Sequence, residues 1–238
     1  MDGPRIIEVN GVGLCVDTTG DAADPAILLI GGMGASMDWW EEEFCRRLAA
    51  GGRFVIRYDH RDTGQSVSYP AGAPGYTGAD LAADVAGVLD AFGRRSAQLA
   101  GLSMGGALAQ QVALAHPDRV DSLVLFSTSP AVPVRSELPP MSEDLRAWFA
   151  AQVLWPDWAE RAAVIDYLTG YERRLESAEY FDEAHVRALV TRIVDRTRNM
   201  AASMMNHALA EEGELARGPQ MPPRPCWTSV IAAMLRGA

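Results

Sequence analysis

Strand-length apolar runs alternate with helix-period segments through the first half of the chain, and that alternation leaves few folds open. Residues 26–30 read AILLI, 54–59 FVIRYD, 96–100 SAQLA and 120–126 VDSLVLF. A run that is apolar at every position, such as AILLI, fits a strand covered on both faces, as in a parallel sheet. Between the runs lie helix-period segments. One spans about 38–50 and is closed by Gly51-Gly52. A second spans 77–92, with Leu81, Val85, Val88, Leu89 and Phe92 on one stripe and Gly93 after it. A third spans 103–115. Residues 5–9 and 14–18 read as two short strands about a turn at Asn10-Gly11. The expected class is α/β: a mostly parallel sheet flanked by helices.

The pattern changes at Ser129. PAVPVRSELPP (130–140) is proline-rich and reads as a linker. From 141 to 212 the chain reads as helical, with Trp148, Phe149, Trp155, Trp158, Tyr167, Tyr171, Tyr180 and Phe181 gathered there. The expectation is a core over 1–128 and a helical cap over 129–212, its aromatics either packing between helices or lining an apolar pocket. The tail, 213–238, is atypical: it is proline-rich and then ambiguous between strand and helix over CWTSVIAAML. The 238 residues suit one domain carrying an inserted cap. The net charge of -10 argues against nucleic acid as partner. No run is long enough to span a membrane, and the N-terminus lacks the apolar core of an export signal. Cys15, Cys45 and Cys226 are too scattered for a disulfide framework or a zinc site. A cytoplasmic protein is expected.

Three stretches carry chemistry. Gly101-Leu102-Ser103-Met104-Gly105 matches G-x-S-x-G and lies between a strand-like and a helix-like run, the context the motif requires. A turn that sharp crowds the serine's neighbours, so the positions two residues either side must lack side chains. The helix start then aims free N–H groups at negative charge forming beside Ser103. The second stretch is Gly31-Gly32-Met33-Gly34, directly after a buried strand. A glycine-rich turn there lets a backbone N–H face the serine. With the N–H of Met104, the N–H of either Gly32 or Met33 would form an oxyanion hole, each donor being worth about 10²–10³ in rate. The third is Asp59-His60-Arg61-Asp62-Thr63-Gly64-Gln65-Ser66, a polar loop suited to side-chain-to-backbone bonding, with His60 in a structural role.

These motifs, in this order, resemble the α/β-hydrolase superfamily. YDHRDTGQS, GLSMGG, RRLAAGGRFVIRYD and LAADVAGVLDAFG look more narrowly like the aclacinomycin methylesterase-type esterases, over roughly residues 5–128. The resemblance implies a capped, mostly parallel sheet and hydrolysis of a small-molecule carboxylic ester, with a methyl ester as the analogy. It implies Ser103 as nucleophile and no cofactor or metal. Many such relatives carry His-Gly at the oxyanion turn, where this chain has Gly31-Gly32.

In this superfamily an Asp or Glu and then a His follow the serine, both after the cap. Here no histidine follows His207 and no carboxylate side chain follows Glu214. His185 and His207 fall in the cap, and His116 closes the helix that Ser103 opens, roughly 20 Å away. A sheet lacking its last strands is expected. Three explanations compete: a C-terminally truncated or frameshifted esterase, a pseudoenzyme holding a small apolar ligand or a protein partner in the old pocket, or an acid and base supplied from elsewhere. Weak or absent esterase turnover is expected. The strand at 120–126 would then form a sheet edge open to self-association.

Overall fold

The computed structural model describes residues 3–131, 140, 142–151, 155–211 and 213. Its sheet holds, among the described residues, six strands: β1 (Arg5–Val9), β2 (Val12–Thr19), β3 (Ala26–Ile30), β4 (Phe54–Tyr58), β5 (Ala97–Leu102) and β6 (Val120–Phe126). Their spatial order is β1-β2-β4-β3-β5-β6. The β1–β2 and β2–β4 pairs are antiparallel, and β4, β3, β5 and β6 run parallel. The turn into β2 uses Asn10 and Gly11, both at positive φ, as a tight two-residue hairpin demands.

β3 and β4 are buried at all five positions. Alternation sends Leu28 and Ile30 to one face with Ile56 and Leu99, where they meet helix α2 (Gly78–Ala91) through Val85 and Leu89 and helix α3 (Met104–Ala115) through Leu108 and Val112. Ile27, Leu29, Val55 and Ala100 face the other way, onto Trp40 and Cys45. Cys45 lies on helix α1 (Glu42–Ala50). Helices on both faces of a mostly parallel sheet are the α/β architecture the sequence specifies. Helix α2 starts on a capping box, Thr77 and Asp80 bonding each other's backbone N–H.

One element differs from expectation. The helix anticipated from 38 is split: Met37–Trp39 forms a 3₁₀ turn, and α1 starts only at Glu42. Trp40 sits at φ -89°, ψ 80°, outside the helical region, and its carbonyl accepts from Arg57 Nη1 at 2.6 Å and Cys45 Sγ at 3.4 Å. The Trp40 indole lies between Phe44 and Phe126.

The segment after the sheet is helical where described: α4 (Glu143–Ala151), α5 (Arg161–Leu175), α6 (Glu183–Arg196) and α7 (Met200–Leu209). α5 and α6 share a core of Val164, Ile165, Leu168, Val186, Leu189, Val190 and Ile193, against which Trp39, Trp158, Tyr167 and Phe181 pack. Most of the tail assigned to 213–238, with CWTSVIAAML, lies outside the described residues, as does most of the linker at 130–140. No described strand pairs with the outer side of β6, whose residues after Asp121 are half-buried.

Candidate active site

β5 ends at Leu102, α3 begins at Met104, and Ser103 alone makes the turn. Its backbone sits at φ 51°, ψ -116°, a conformation that costs a non-glycine residue about 1–3 kcal/mol and must be held from outside. Ser103 N–H donates to Phe126 O at 2.9 Å, and Ser103 O accepts from Gly106 N–H at 3.0 Å and from Thr128 Oγ1 at 2.8 Å. The flanking glycines are obligatory. A Cβ on Gly101 would lie 2.5 Å from Gly106 N, and one on Gly105 would lie 2.5 Å from Gly31 O. The Ser103 side chain is exposed. Met104 is the first residue of α3, so its N–H is one of the helix's unpaired donors.

The Gly31–Gly34 turn lies beside this elbow. A Cβ on Gly32 would stand 3.5 Å from both Ser103 Cβ and Leu102 O. Gly32 therefore faces the serine across a gap that a methyl group would fill, and Met33 is half exposed.

Each of the four histidines has its place in the described structure. His60 is fully buried; its Nε2–H donates to Gly31 O at 3.1 Å, and burial pushes its pKa down to about 4. His207, on α7, accepts Gly34 N–H at Nδ1 (2.9 Å) and donates Nε2–H to Arg61 O (2.8 Å). Burial, then the neighbouring His60, brings its pKa to about 4. His185 is exposed on α6, with Nε2 2.9 Å from Glu41. His116 caps the far end of α3. Among the described residues no hydrogen bond joins a histidine to Ser103.

The polar loop after β4 is built largely as the sequence suggests. Asp59 accepts Met37 N–H at 2.8 Å and Gln65 N–H at 2.9 Å, and Asp62 accepts Tyr69 N–H at 2.6 Å. Arg61 departs from that scheme. Its guanidinium leaves the loop for Asp84 of α2, at 2.7 and 2.9 Å, with both side chains buried. A further partner of the loop is invisible in local sequence: Arg196, at the end of α6, forks onto both oxygens of Asp59 at 2.7 and 2.6 Å and reaches Asp38 at 2.8 Å. Ser203, Asn206 and His207 were likewise missed as a set. The available signal was polar residues at helical spacing on an otherwise apolar helix. Among the described residues no group of His, Cys, Asp and Glu gathers as a metal site, and no helix is long and apolar enough to cross a membrane.

A parallel sheet whose β5 passes through a glycine-flanked, positive-φ serine into α3, faced by a glycine turn after β3, defines the α/β-hydrolase class. A family profile described as alpha/beta hydrolase fold matches residues 25–214, and the chain belongs to that family. Among its relatives is the rhodomycin D methylesterase DauP of Streptomyces sp. (strain C5), 44% identical over 122 residues, covering 51% of this chain and 41% of that protein. The putative carbamate hydrolase RutD of Variovorax paradoxus (strain S110) is 44% identical over 109 residues, 45% of this chain and 40% of that one. The matches thus span less than half of either relative's length. Among solved structures, the enol-lactonase from Burkholderia xenovorans LB400 superposes with a TM-score of 0.63 at 25% identity, covering 89% of this chain and 75% of that one. The resemblance read from YDHRDTGQS and GLSMGG holds at the level of superfamily and of methylesterase relatives.

Proposed function

We propose that this chain is a serine carboxylic-ester hydrolase in which Ser103 attacks the acyl carbon. The N–H groups of Met104 and of Gly32 or Met33 would hold the oxyanion. One observation carries the reading: an exposed serine held at φ 51° between a parallel strand and a helix N-terminus, with Gly32 facing its Cβ across a methyl-sized gap. That geometry costs stability and is useless to a plain turn, but it presents a nucleophile beside two sets of backbone donors. The relatives' printed names, a methylesterase and a lactonase among them, support a small-molecule ester substrate. A cytoplasmic setting fits that chemistry.

No described base reaches Ser103, so as Oγ bonds the acyl carbon and the alcohol leaves, the serine proton passes to solvent water, and turnover is slow but depends on Ser103. The same observation favours a second reading, a catalytically silent protein that binds a small apolar ligand or a partner in the pocket. Hydrolysis of p-nitrophenyl butyrate by the chain and by its Ser103→Ala variant separates them. Slow turnover, with acyl label on Ser103, that the variant abolishes supports the hydrolase. Equal background rates in the two proteins refute it in favour of the binding protein. The outer edge of β6, with Leu123 to Phe126 half-buried, is in our reading a surface for self-association by strand pairing.

A further inference from the structure

We infer that α7 is a clamp that sets the shape of the Gly31–Gly34 turn, with His207 and Ser203 as positioning residues for the oxyanion donor. The inference rests on the proposed role of that turn. Three of the turn's four residues are glycines and its one side chain, Met33, is half exposed, so its local support is one backbone bond, Ala35 N–H to Gly32 O at 3.2 Å. Its polar atoms are gripped from outside. α7 takes both backbone groups of Gly34: the N–H donates to His207 Nδ1 at 2.9 Å, and the carbonyl accepts from Ser203 Oγ at 3.0 Å. His60 holds the other end through Gly31 O.

The clamp is itself oriented. His207 Nε2–H donates to Arg61 O, which fixes the tautomer and leaves Nδ1 as an acceptor for Gly34. Asn206, one residue away, donates to Asp62 Oδ2 at 2.8 Å and Pro70 O at 3.1 Å, and accepts Gly72 N–H at 2.8 Å. Residues 203, 206 and 207 share one helical face, and all three are buried. Contact with the turn is tight. A Cβ on Gly34, at φ +72°, would stand 3.2 Å from Met204 Sδ and Ser203 O. Gly32 and Met33, the two candidate donors, lie between the gripped ends, so the direction of their N–H groups follows from where α7 holds Gly34.

The test measures amide hydrogen exchange at Gly34 in the full labelled chain, with kcat and KM for p-nitrophenyl butyrate, in the parent, His207→Gln, His207→Asn and Ser203→Ala. The asparagine oxygen sits as far from Cβ as Nδ1 does and keeps an acceptor for Gly34; the glutamine amide reaches one bond further, towards Arg61 O. Exchange at Gly34 is expected to rise about tenfold in His207→Gln, the worth of one hydrogen bond, and to return towards the parent rate in His207→Asn. kcat is expected to fall about 10²-fold in His207→Gln with KM nearly unchanged, as a displaced donor dictates, and to recover in His207→Asn. Unchanged exchange at Gly34 in His207→Gln overturns the clamp, as does faster exchange with unaltered kcat. If His207→Gln does not fold, Ser203→Ala decides by the same two readouts. Absence of Ser103-dependent turnover in the parent would sink the hydrolase reading alone, since exchange at Gly34 still decides whether α7 shapes the turn.

Discussion

Acid should weaken this fold well before its carboxylates are neutralised, and two buried histidines set the size of the effect. His60 and His207 both have folded pKa values near 4, against an ordinary 6.5. A base whose folded pKa is depressed is protonated first in the unfolded chain. The stability it contributes is therefore present above about pH 6.5 and is lost as pH falls towards 4. Integrating the linkage from about pH 7 to about pH 5 gives a loss of about 2 kcal/mol per histidine, about 4 kcal/mol for the pair. The geometry explains why native His207 resists the proton: Nδ1 accepts Gly34 N–H and Nε2–H is held by Arg61 O, so protonation breaks the bond to Gly34. The groups around it are His60, which opposes the charge, Asp62, which favours it, and the Tyr76 ring. One group acts with the opposite sign. Glu172 has its pKa raised to about 7 by burial and by Glu176, so its protonation favours the native state as pH falls. Urea unfolding should therefore be followed in Glu172→Gln, where that offset is gone. The expected loss from pH 7 to 5 is about 4 kcal/mol, falling to about 2 kcal/mol when His207→Asn is added. A change below about 1 kcal/mol in Glu172→Gln would refute the reasoning.

Other outcomes follow from packing and charge. Gly105→Ala drives a Cβ into the carbonyls of Ile30 and Gly31, both backbone atoms, and should cost about 1–3 kcal/mol in thermal or urea unfolding; an unchanged midpoint would count against the close approach of α3 to β3. Asp84→Ala strands the buried Arg61 guanidinium, at an expected cost of about 3–5 kcal/mol by urea unfolding, and a loss under about 1 kcal/mol would mean Arg61 finds water. If β6 is an association edge, Val124→Lys should shift the sedimenting species towards monomer, whereas a parent chain that sediments as a monomer at all concentrations removes that proposal.

The sheet was legible because its strands announce themselves. AILLI and FVIRY are apolar or long-stemmed throughout and are buried at every position, which no amphipathic helix reproduces. The start of α2 was legible to within a residue, with Thr77 and Asp80 closing the cap. The serine elbow was legible because its glycine spacing is a local pattern: Gly101 is forced by Gly105 and Gly106 a few residues on, although Gly105 is forced by the distant carbonyls of Ile30 and Gly31. What failed to show were effects that depend on distant partners. The helix expected from 38 breaks at Trp40, whose carbonyl turns to Arg57 on β4, a partner no local pattern reveals. Arg61 reads as a loop residue until Asp84 is placed beside it. The partners of His207 lie 173 and 146 residues away, so no local pattern marks it as the support of a turn rather than a base.

The fork between Arg196 and Asp59 has a consequence for the order in which the chain becomes a protein. Asp59 is buried to 0% exposure, and its cationic partner lies 137 residues downstream. At about 5–20 residues per second, a ribosome releases Arg196 roughly 7 to 27 s after Asp59. β5 and β6 are made within that interval, and until it ends the loop after β4 holds a carboxylate without its Arg196 partner, and the turn opposite Ser103 has no α7 to rest on. The nascent core must therefore keep this corner hydrated and open. The strands that carry the serine are synthesised early, and the surface that faces it closes only when the last described helix arrives.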